Sequence, residues 1–240
     1  VDPLGDMEII NTELILADIK TVEKSLEKNV KLIKANKPEG RLAEEVLSGL
    51  LNHLNDGLAA RSFERNSKEN PVIKNLFLLT DKPMIYVANI DDNGGDIKQV
   101  EEAKKIAEKN YSSLIEINGK LESEMADFND EEKKLMLKDY GINESGLSVL
   151  IKEAYRTLGL ETFFTCGDKE VRAWTMKKGS QAVEAAGEIH TDFSTKFIKA
   201  EIFTYEDAMN NKEKINELKT LGLVKMVGRD YIMQEGDIAY

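Results

Sequence analysis

Cysteine and histidine are nearly absent from this sequence, and long apolar runs are absent altogether. Of its 240 residues one is cysteine, Cys166, and two are histidine, His53 and His190. These residues cannot form an internal disulfide, and their spacing matches no zinc site. No run of about 18 apolar residues occurs, and residues 1–10 lack the basic and apolar stretches of a signal peptide. We therefore expect a cytoplasmic protein with no membrane partner and no metal ligands of its own.

Positive charge is scarce as well. The chain has 33 lysines and arginines against 44 aspartates and glutamates, which gives a net charge of −11. Because the neutralisation of phosphates needs clustered basic residues, this balance argues against a general nucleic-acid coat. The first 158 residues carry 22 basic and 30 acidic side chains, and residues 159–240 carry 11 and 14. Any contact with RNA is therefore expected in the last third of the chain.

Two stripes of apolar residues indicate a pair of helices near the start. The members of each stripe recur every three or four residues, which is the period of one helix face. The first stripe consists of Ile15, Ile19, Val22, Leu26, Val30 and Ile33, and the second of Leu42, Val46, Leu50, Leu54 and Leu58. Between them, Pro38 and Gly40 predict a break in the helix. The two stripes should bury each other in an antiparallel coiled-coil hairpin.

Residues 84–88 form a short apolar run rich in β-branched and aromatic side chains. Such a run predicts a strand that is buried on both faces, as in a parallel sheet. A helical pattern over residues 96–109 and a second strand at 113–117 follow it. A strand, a helix and a strand in this order predict a parallel pair whose two following loops, 89–92 and 118–122, emerge at one sheet edge. Further helices are predicted at 130–139 and 145–158.

The pattern changes after Gly159, where helical stripes give way to short β-like runs. These runs lie at 162–165, 171–175, 197–204 and 231–233, with the start of another at 236–240 and helices around 182–186 and 205–221. Short strands separated by glycine-bearing turns are typical of a small separate domain of the α+β class.

Several stretches resemble one family, the YchF/Obg-like ATPases, a branch of the Obg-related P-loop NTPases. The stretches are residues 6–19, 78–92, 162–179, 185–193 and 228–237, and they follow in the right order over nearly the whole chain. The resemblance implies an α/β nucleotide-binding domain with a P-loop NTPase-type parallel sheet, an inserted helical coiled-coil hairpin and a C-terminal β-grasp (TGS) domain. It assigns residues 1–10 and 76–158 to the partial nucleotide-binding domain, 11–75 to the insertion and 159–240 to the TGS domain.

The resemblance also implies which residues hold the nucleotide base. The base-recognition loop is 89–92, and the loop 118–122 closes over the base. The predicted nucleotide-binding residues are Asn89, Ile90, Asp92, Asn118 and Gly119. The family usually carries Asn-x-x-Glu in the first loop and ordinary GTPases carry Asn-Lys-x-Asp, so Asn89-Ile90-Asp91-Asp92 is a hybrid. Ile90 favours adenine because it replaces the lysine of GTPases, whereas Asp92 offers a carboxylate to the amino edge of guanine. Both ATP and GTP therefore remain candidate ligands.

The phosphate-binding motif of P-loop NTPases does not occur in this sequence. There is no Gly-x-x-x-x-Gly-Lys-Ser/Thr, and so no phosphate cradle, phosphate-binding lysine or P-loop magnesium ligand. The Asp-x-x-Gly switch segment is also missing from the place where the family has it. We therefore expect the chain to be the C-terminal part of a family protein and to contain no catalytic residues. Full-length relatives would bind ATP or GTP with magnesium, and this chain should hold no cofactor tightly.

Two kinds of function are compatible with these features. One is a ribosome-associated, translation-linked ATPase or GTPase, for which this chain supplies base recognition and the partner-binding modules. The alternative is a non-catalytic module that docks on the ribosome, on RNA or on another protein. The resemblance implies the ribosome or RNA as partner in either case.

Three single residues in the last third carry both a functional and a structural interpretation. Cys166 is either a redox-responsive thiol or a small buried apolar residue. His190 either contacts RNA or makes a structural hydrogen bond. Trp174, which has Arg172 two residues before it, either stacks on a base or covers the core of the small domain. The structural interpretation is favoured for each.

Overall fold

The computed structural model describes residues 2–34, 38–91, 96–167, 170–211 and 215–240. The chain divides into two compact units, Val1–Ile151 and Lys152–Tyr240. Among the described residues, no helix combines the length and the apolar character needed to cross a membrane.

Helices dominate the first unit. Its elements are α1 (Pro3–Lys34), α2 (Pro38–Asn55), a 3₁₀ turn (Ala60–Ser62), α3 (Asn70–Lys74), β1 (Ile85–Asn89), α4 (Ile97–Lys109), β2 (Ser113–Ile117), α5 (Gly119–Glu124), α6 (Asp130–Asp139) and the start of α7 (Gly146–Leu158). The predicted βαβ unit and the predicted helices at 130–139 and 145–158 are confirmed, and each of their boundaries lies within about one residue of its predicted place. The predicted loop at 118–122 is instead mostly helical, because α5 begins at Gly119.

The helices α1 and α2 pack along most of the two predicted stripes. Val30 of the first stripe is an exception, since it is 43% exposed, and the side chain of Ile33 lies outside the described part of the chain. Their shared core is fully apolar at its centre, where Val22 and Leu50 are buried. Near the connection between the helices, the side-chain amide of Asn29 donates to the carbonyl of Gly40 at 2.7 Å. Because Ile15 and Leu54 belong to the same core at its other end, the helices run in opposite directions. The finer description of this pair as a coiled coil stays a prediction.

The predicted break between the helices is confirmed, since α1 ends at Lys34 and α2 begins at Pro38, where the missing N–H of proline costs nothing. Two details of the predicted helix ends are wrong. Gly40 lies inside α2 and is buried. Leu58, predicted on the second stripe, lies beyond the helix and is 42% exposed. The helix ends before it because Gly57 adopts a φ of +77° and its amide donates to the carbonyl of Leu54.

The strands β1 and β2 form a parallel pair of two strands in which Asn89 lies opposite Ile117. The helix α4 connects them, and Asp96 caps its start by accepting the amide of Lys98 with its side chain. The prediction that β1 is buried on both faces is wrong, since Val87 is 49% exposed. In the described strand β1 no residue is fully buried, and Ile85, Tyr86 and Ala88 are half-buried.

The second unit is built on a mixed sheet of five strands. Its elements after α7 are β3 (Leu160–Cys166), β4 (Val171–Lys177), α8 (Ala182–Ile189), α9 (Thr191–Lys196), β5 (Ala200–Thr204), α10 (Tyr205–Asn210), α11 (Ile215–Thr220), β6 (Lys225–Val227) and β7 (Asp237–Ala239). The strand order is β4-β3-β7-β5-β6, and β3 and β7 are parallel while the other pairs are antiparallel. One core contains Phe163 and Ile202, and a second contains Phe203 and Ile238.

Consecutive residues of β3 and β5 therefore belong to two different cores, because side chains alternate between the two faces along a strand. The core with Phe163 includes the small residues Ala182 and Ala185 of α8. The core with Phe203 includes Ala208 of α10 and Leu218 of α11. The sheet is thus covered on both faces.

The predicted strand at 231–233 is wrong. Only Ile232 forms an isolated bridge, to Gln181, because the neighbouring groups serve other partners. The carbonyl of Tyr231 accepts the amide of Ala182 at the start of α8, and its hydroxyl donates to Asp237.

Other predicted boundaries in the second unit also differ from the structure. The strand predicted at 197–204 begins only at Ala200, and the single helix predicted at 205–221 is two helices, α10 and α11. The short elements α9 and β6 were not predicted. Both are too short for a periodic pattern to stand out in the sequence.

Candidate nucleotide-base site

The two predicted base loops lie side by side at the carboxyl ends of β1 and β2. The parallel register places Asn89 beside Ile117. One residue further on, the amide of Ile90 donates to the carbonyl of Ile117 at 2.9 Å. The pairing of the strands thus continues into the first loop and sets its distance from the second.

A direct hydrogen bond connects the loops. The amide of Gly119 donates to the side-chain oxygen Oδ1 of Asn89 at 3.0 Å, across 30 residues of sequence. A methyl group on Gly119 would lie 3.0 Å from that same oxygen. The close approach of the loops therefore favours glycine at this position. Among the described residues, no protein group accepts a hydrogen bond from the Asn89 nitrogen Nδ2.

Asn118 shapes the second loop by capping a helix. It is the N-cap of α5, and its Oδ1 accepts the amide of Leu121 at 3.0 Å. Leu121 is buried, which fixes the first turn of α5 to the unit. This oxygen is therefore used within the protein, and the residue acts on the site through the conformation of the turn.

A further contact to this turn comes from residues that the sequence did not single out as site residues. The Oε1 of Glu122 accepts the amide of Gly146, the first residue of α7, at 2.5 Å. Sequence distance hides this contact, because the two residues are 24 positions apart. The one available signal is that Glu122 ends the predicted second loop.

Asp92, the remaining predicted site residue, lies outside the described residues. The structure therefore brings together Asn89, Ile90, Asn118 and Gly119. Lys120, which follows Gly119, extends towards Glu124 at 4.0 Å on the exposed side of α5.

The strand β1 is also tied to α1. The hydroxyl of Tyr86 donates to the side-chain oxygen of Asn11 at 2.8 Å. Burial raises the pKa of the Tyr86 hydroxyl above its usual value, against the opposing effects of the Asn11 hydrogen bond and the Arg61 charge.

The three single residues of the last third make structural contacts. His190 caps α9, since its Nδ1 accepts the amide of Asp192 at 3.2 Å. The Trp174 indole packs on the core with Phe163 and donates to the hydroxyl of Thr165 at 2.9 Å. The guanidinium of Arg172 lies 4.1 Å from the centre of the Trp174 ring and so covers one of its faces.

Cys166 is a free, half-buried cysteine at the end of β3. It lines an apolar groove of about 1050 Å³, together with the side chains of Trp174 and Phe197. Within the part of the chain that the structure describes, no three histidine, cysteine, aspartate or glutamate side chains are grouped to hold a metal ion.

Comparison with known proteins finds that the chain is similar to GTPases and ATPases of one kind. Residues 160–240 match a family described as YchF-GTPase_C, a protein of unknown function (DUF933). The solved structure of the Schizosaccharomyces pombe YchF GTPase superimposes on the chain with a TM-score of 0.87 and 32% sequence identity. It covers 100% of this chain, which in turn covers 66% of that protein. The mixed α/β fold of the chain is therefore that of a YchF GTPase.

Curated relatives carry the same family name. The chain is 43% identical to the "Ribosome-binding ATPase YchF" of Bacillus subtilis (strain 168) and 35% identical to that of Escherichia coli O157:H7. The alignments cover 100% and 99% of this chain. In each case it spans 66% of the relative's length, just under two thirds. The chain belongs to the YchF family.

Proposed function

We propose that this chain supplies the base-recognition and partner-binding parts of a ribosome-associated ATPase of the YchF kind. The relatives named above are called ribosome-binding ATPases, and the aligned region includes almost all of this chain. Since the chain spans only 66% of their length, ATP hydrolysis is proposed for the whole protein and not for these 240 residues.

The hydrogen bond between Gly119 and Asn89 is the observation that carries the proposal. It joins the two loops at the edge where open α/β sheets bind ligands. The Oδ1 of Asn89 is engaged, which leaves its Nδ2 as a donor. Both purines offer the acceptor N7, so we assign Asn89 to purine binding without discrimination between the bases.

Discrimination is proposed to come from the backbone of Ile90. Its amide is already bonded to Ile117, and its remaining backbone polar group is the carbonyl, an acceptor. Adenine presents an amino group where guanine presents a carbonyl oxygen, so an acceptor at this edge favours adenine. The amide of Gly119, which could serve the guanine oxygen, is bonded to Asn89 instead. This supports a preference for ATP over GTP. The carboxylate of Asp92 would still accept a hydrogen bond from the amino group of guanine and so reduce that preference.

The phosphate and magnesium sites are not assigned to this chain. The sequence has no P-loop, and in the described part no acidic cluster fits a metal ion. The residues present therefore fit the base and not the triphosphate. ATP or GTP with magnesium is proposed as the cofactor of the whole protein only, and no step of phosphoryl transfer is routed through these residues.

The two partner-binding modules, a coiled-coil insertion and a TGS domain, are proposed from the resemblance to the family. Residues 11–75, which contain most of the helical pair, form the coiled-coil insertion, and residues 159–240 form the TGS domain. Residues 1–10 and 76–158 belong to the nucleotide-binding domain. The two modules would contact the ribosome or its RNA in the cytoplasm. If nucleotide binding fails the tests below, the alternative function as a non-catalytic interaction module takes its place.

Titration calorimetry of the chain with ATP and GTP is the first test. We expect neither nucleotide to bind with micromolar affinity. The base loops offer only a few hydrogen bonds of about 0.5–1.5 kcal/mol each, and the net charge of −11 opposes a triphosphate. Micromolar binding of either nucleotide would reveal a phosphate site within the chain and contradict this assignment.

Nuclear magnetic resonance titration with the uncharged nucleosides isolates the base site. Adenosine should shift the amide signals of Ile90 and Gly119 more than guanosine does, and Asn89→Ala should abolish the shifts. Asn52→Ala, which removes an exposed amide from α2, is the matched control. Equal or larger shifts with guanosine would refute the adenine preference, and shifts that survive Asn89→Ala would refute the site.

A further inference from the structure

We propose that Glu122 is a positioning residue of the base site. It holds the first residue of α7, and through that contact it keeps the turn of Asn118 and Gly119 against Asn89. This inference rests on the proposed function, because it names what sets the geometry of the same base loop.

The contact is short and charge-assisted. The carboxylate oxygen Oε1 of Glu122 accepts the amide of Gly146 at 2.5 Å. A hydrogen bond from a backbone amide to a carboxylate is about twice as strong as one between neutral groups. Glu122 lies on α5 directly after Leu121, and the turn with Asn118 and Gly119 opens that helix.

The start of α7 also contacts the residue on the other side of the turn. A methyl group placed on Gly146 would lie 2.8 Å from Cγ2 of Ile117 and 3.2 Å from Oε1 of Glu122. Ile117 is the last residue of β2 and immediately precedes Asn118. Gly146 therefore fits between the two residues that flank the turn, where a larger residue would push them apart.

Two acceptors serve the first turn of α7. The hydroxyl of Ser145 accepts the amide of Ser148 at 3.2 Å, and Glu122 accepts the amide of Gly146. Because Glu122 belongs to α5, its bond also ties α7 to α5. It adds a fixed point to a turn that is otherwise held by the Asn118 cap and by the bond from Gly119 to Asn89.

Three variants of Glu122 distinguish the effect of side-chain length from the effect of charge. Glu122→Ala removes the accepting oxygen, Glu122→Asp keeps the charge but shortens the side chain by one carbon, and Glu122→Gln keeps an accepting oxygen at the same reach. Glu124→Ala removes a carboxylate from the exposed side of the same helix and is the matched control. The readouts are hydrogen exchange at the amides of Gly146 and Gly119 and the dissociation constant for adenosine.

The alanine and aspartate variants should exchange about tenfold faster at both amides, a ratio that corresponds to about 1.4 kcal/mol. Adenosine binding should weaken by a similar factor. The glutamine variant should restore most of the protection, and the control should match the unaltered chain. If the alanine variant does not fold, the aspartate variant decides the question with the same two amides.

Faster exchange at Gly146 with unchanged exchange at Gly119 would overturn the proposal, because Glu122 would then serve α7 only. Failure of the glutamine variant to restore protection at Gly119 would also overturn it. If the unaltered chain does not bind adenosine, the proposed function fails. The exchange of Gly119 in the variants still decides whether Glu122 positions the turn.

Discussion

The carboxylate of Asp18 holds Thr80 through two hydrogen bonds of 2.7 Å, one from the Thr80 amide and one from its hydroxyl. The two residues are 62 positions apart. The other carboxylate oxygen accepts the amide of Leu79 at 2.8 Å, and the Thr80 hydroxyl in turn accepts the amide of Ala60. A single side chain of α1, only 2% exposed, thus fixes the segment that leads into β1.

Asp18→Ala should destabilise the first unit by about 3 kcal/mol, because it leaves three donors without an acceptor, two of them buried on Thr80. Asp18→Asn keeps one accepting oxygen and should cost less. Urea unfolding monitored by circular dichroism gives both values. Glu23→Ala, an exposed acid on the same helix, is the control. A loss in Asp18→Ala no larger than in this control would refute the role of Asp18.

Leu50→Asp should loosen the packing of α1 on α2 by a few kcal/mol, because it buries an unpaired charge at a side chain that is 0% exposed. Ser48→Asp adds the same charge at an exposed position of α2 and should change stability by less than about 0.5 kcal/mol. Thermal melting followed by circular dichroism measures both variants. Equal melting temperatures would contradict the packing described for the helix pair.

Tyr86 should make the first unit sensitive to alkali. Burial raises the pKa of its hydroxyl in the folded state above the ordinary value of about 10. Its contribution to stability is then fully present below pH 10 and is lost as the pH rises through the folded-state pKa. Tyr86→Phe should therefore reduce the fall in stability above pH 10. Tyr111→Phe removes an exposed hydroxyl and serves as the control in the same pH series of denaturant titrations. An unchanged slope in Tyr86→Phe would contradict the expectation.

Limited proteolysis should cut near residues 158–161 and leave a resistant C-terminal fragment. Leu158 is 59% exposed, and Gly159, with a φ of +63°, ends α7 before the strand β3 begins. Exposed turns between secondary-structure elements are common sites of cleavage. Mass spectrometry of the fragments identifies the cut. Digestion of residues 160–240 without a resistant core would contradict the prediction of a separate domain there.

Local patterns in the sequence predicted most elements of the first unit, although not the short helices α3 and α5. The spacing of residues such as Val22 and Leu50 predicted both helices and the face that each buries. The apolar runs at β1 and β2, with α4 between them, predicted a parallel pair and hence two loops at one edge. These predictions succeeded because periodicity and chain connectivity are properties of neighbouring residues.

Tertiary structure alone decided which distant groups meet. Nothing in the sequence pairs Asp18 with Thr80 or Glu122 with Gly146, because each pair depends on how separate helices and loops pack. The same holds for β7, which forms at the end of the described chain and enters the sheet between β3 and β5. Hydrogen bonds of this kind leave no periodic trace, since their partners are fixed by the fold as a whole and not by their sequence neighbours.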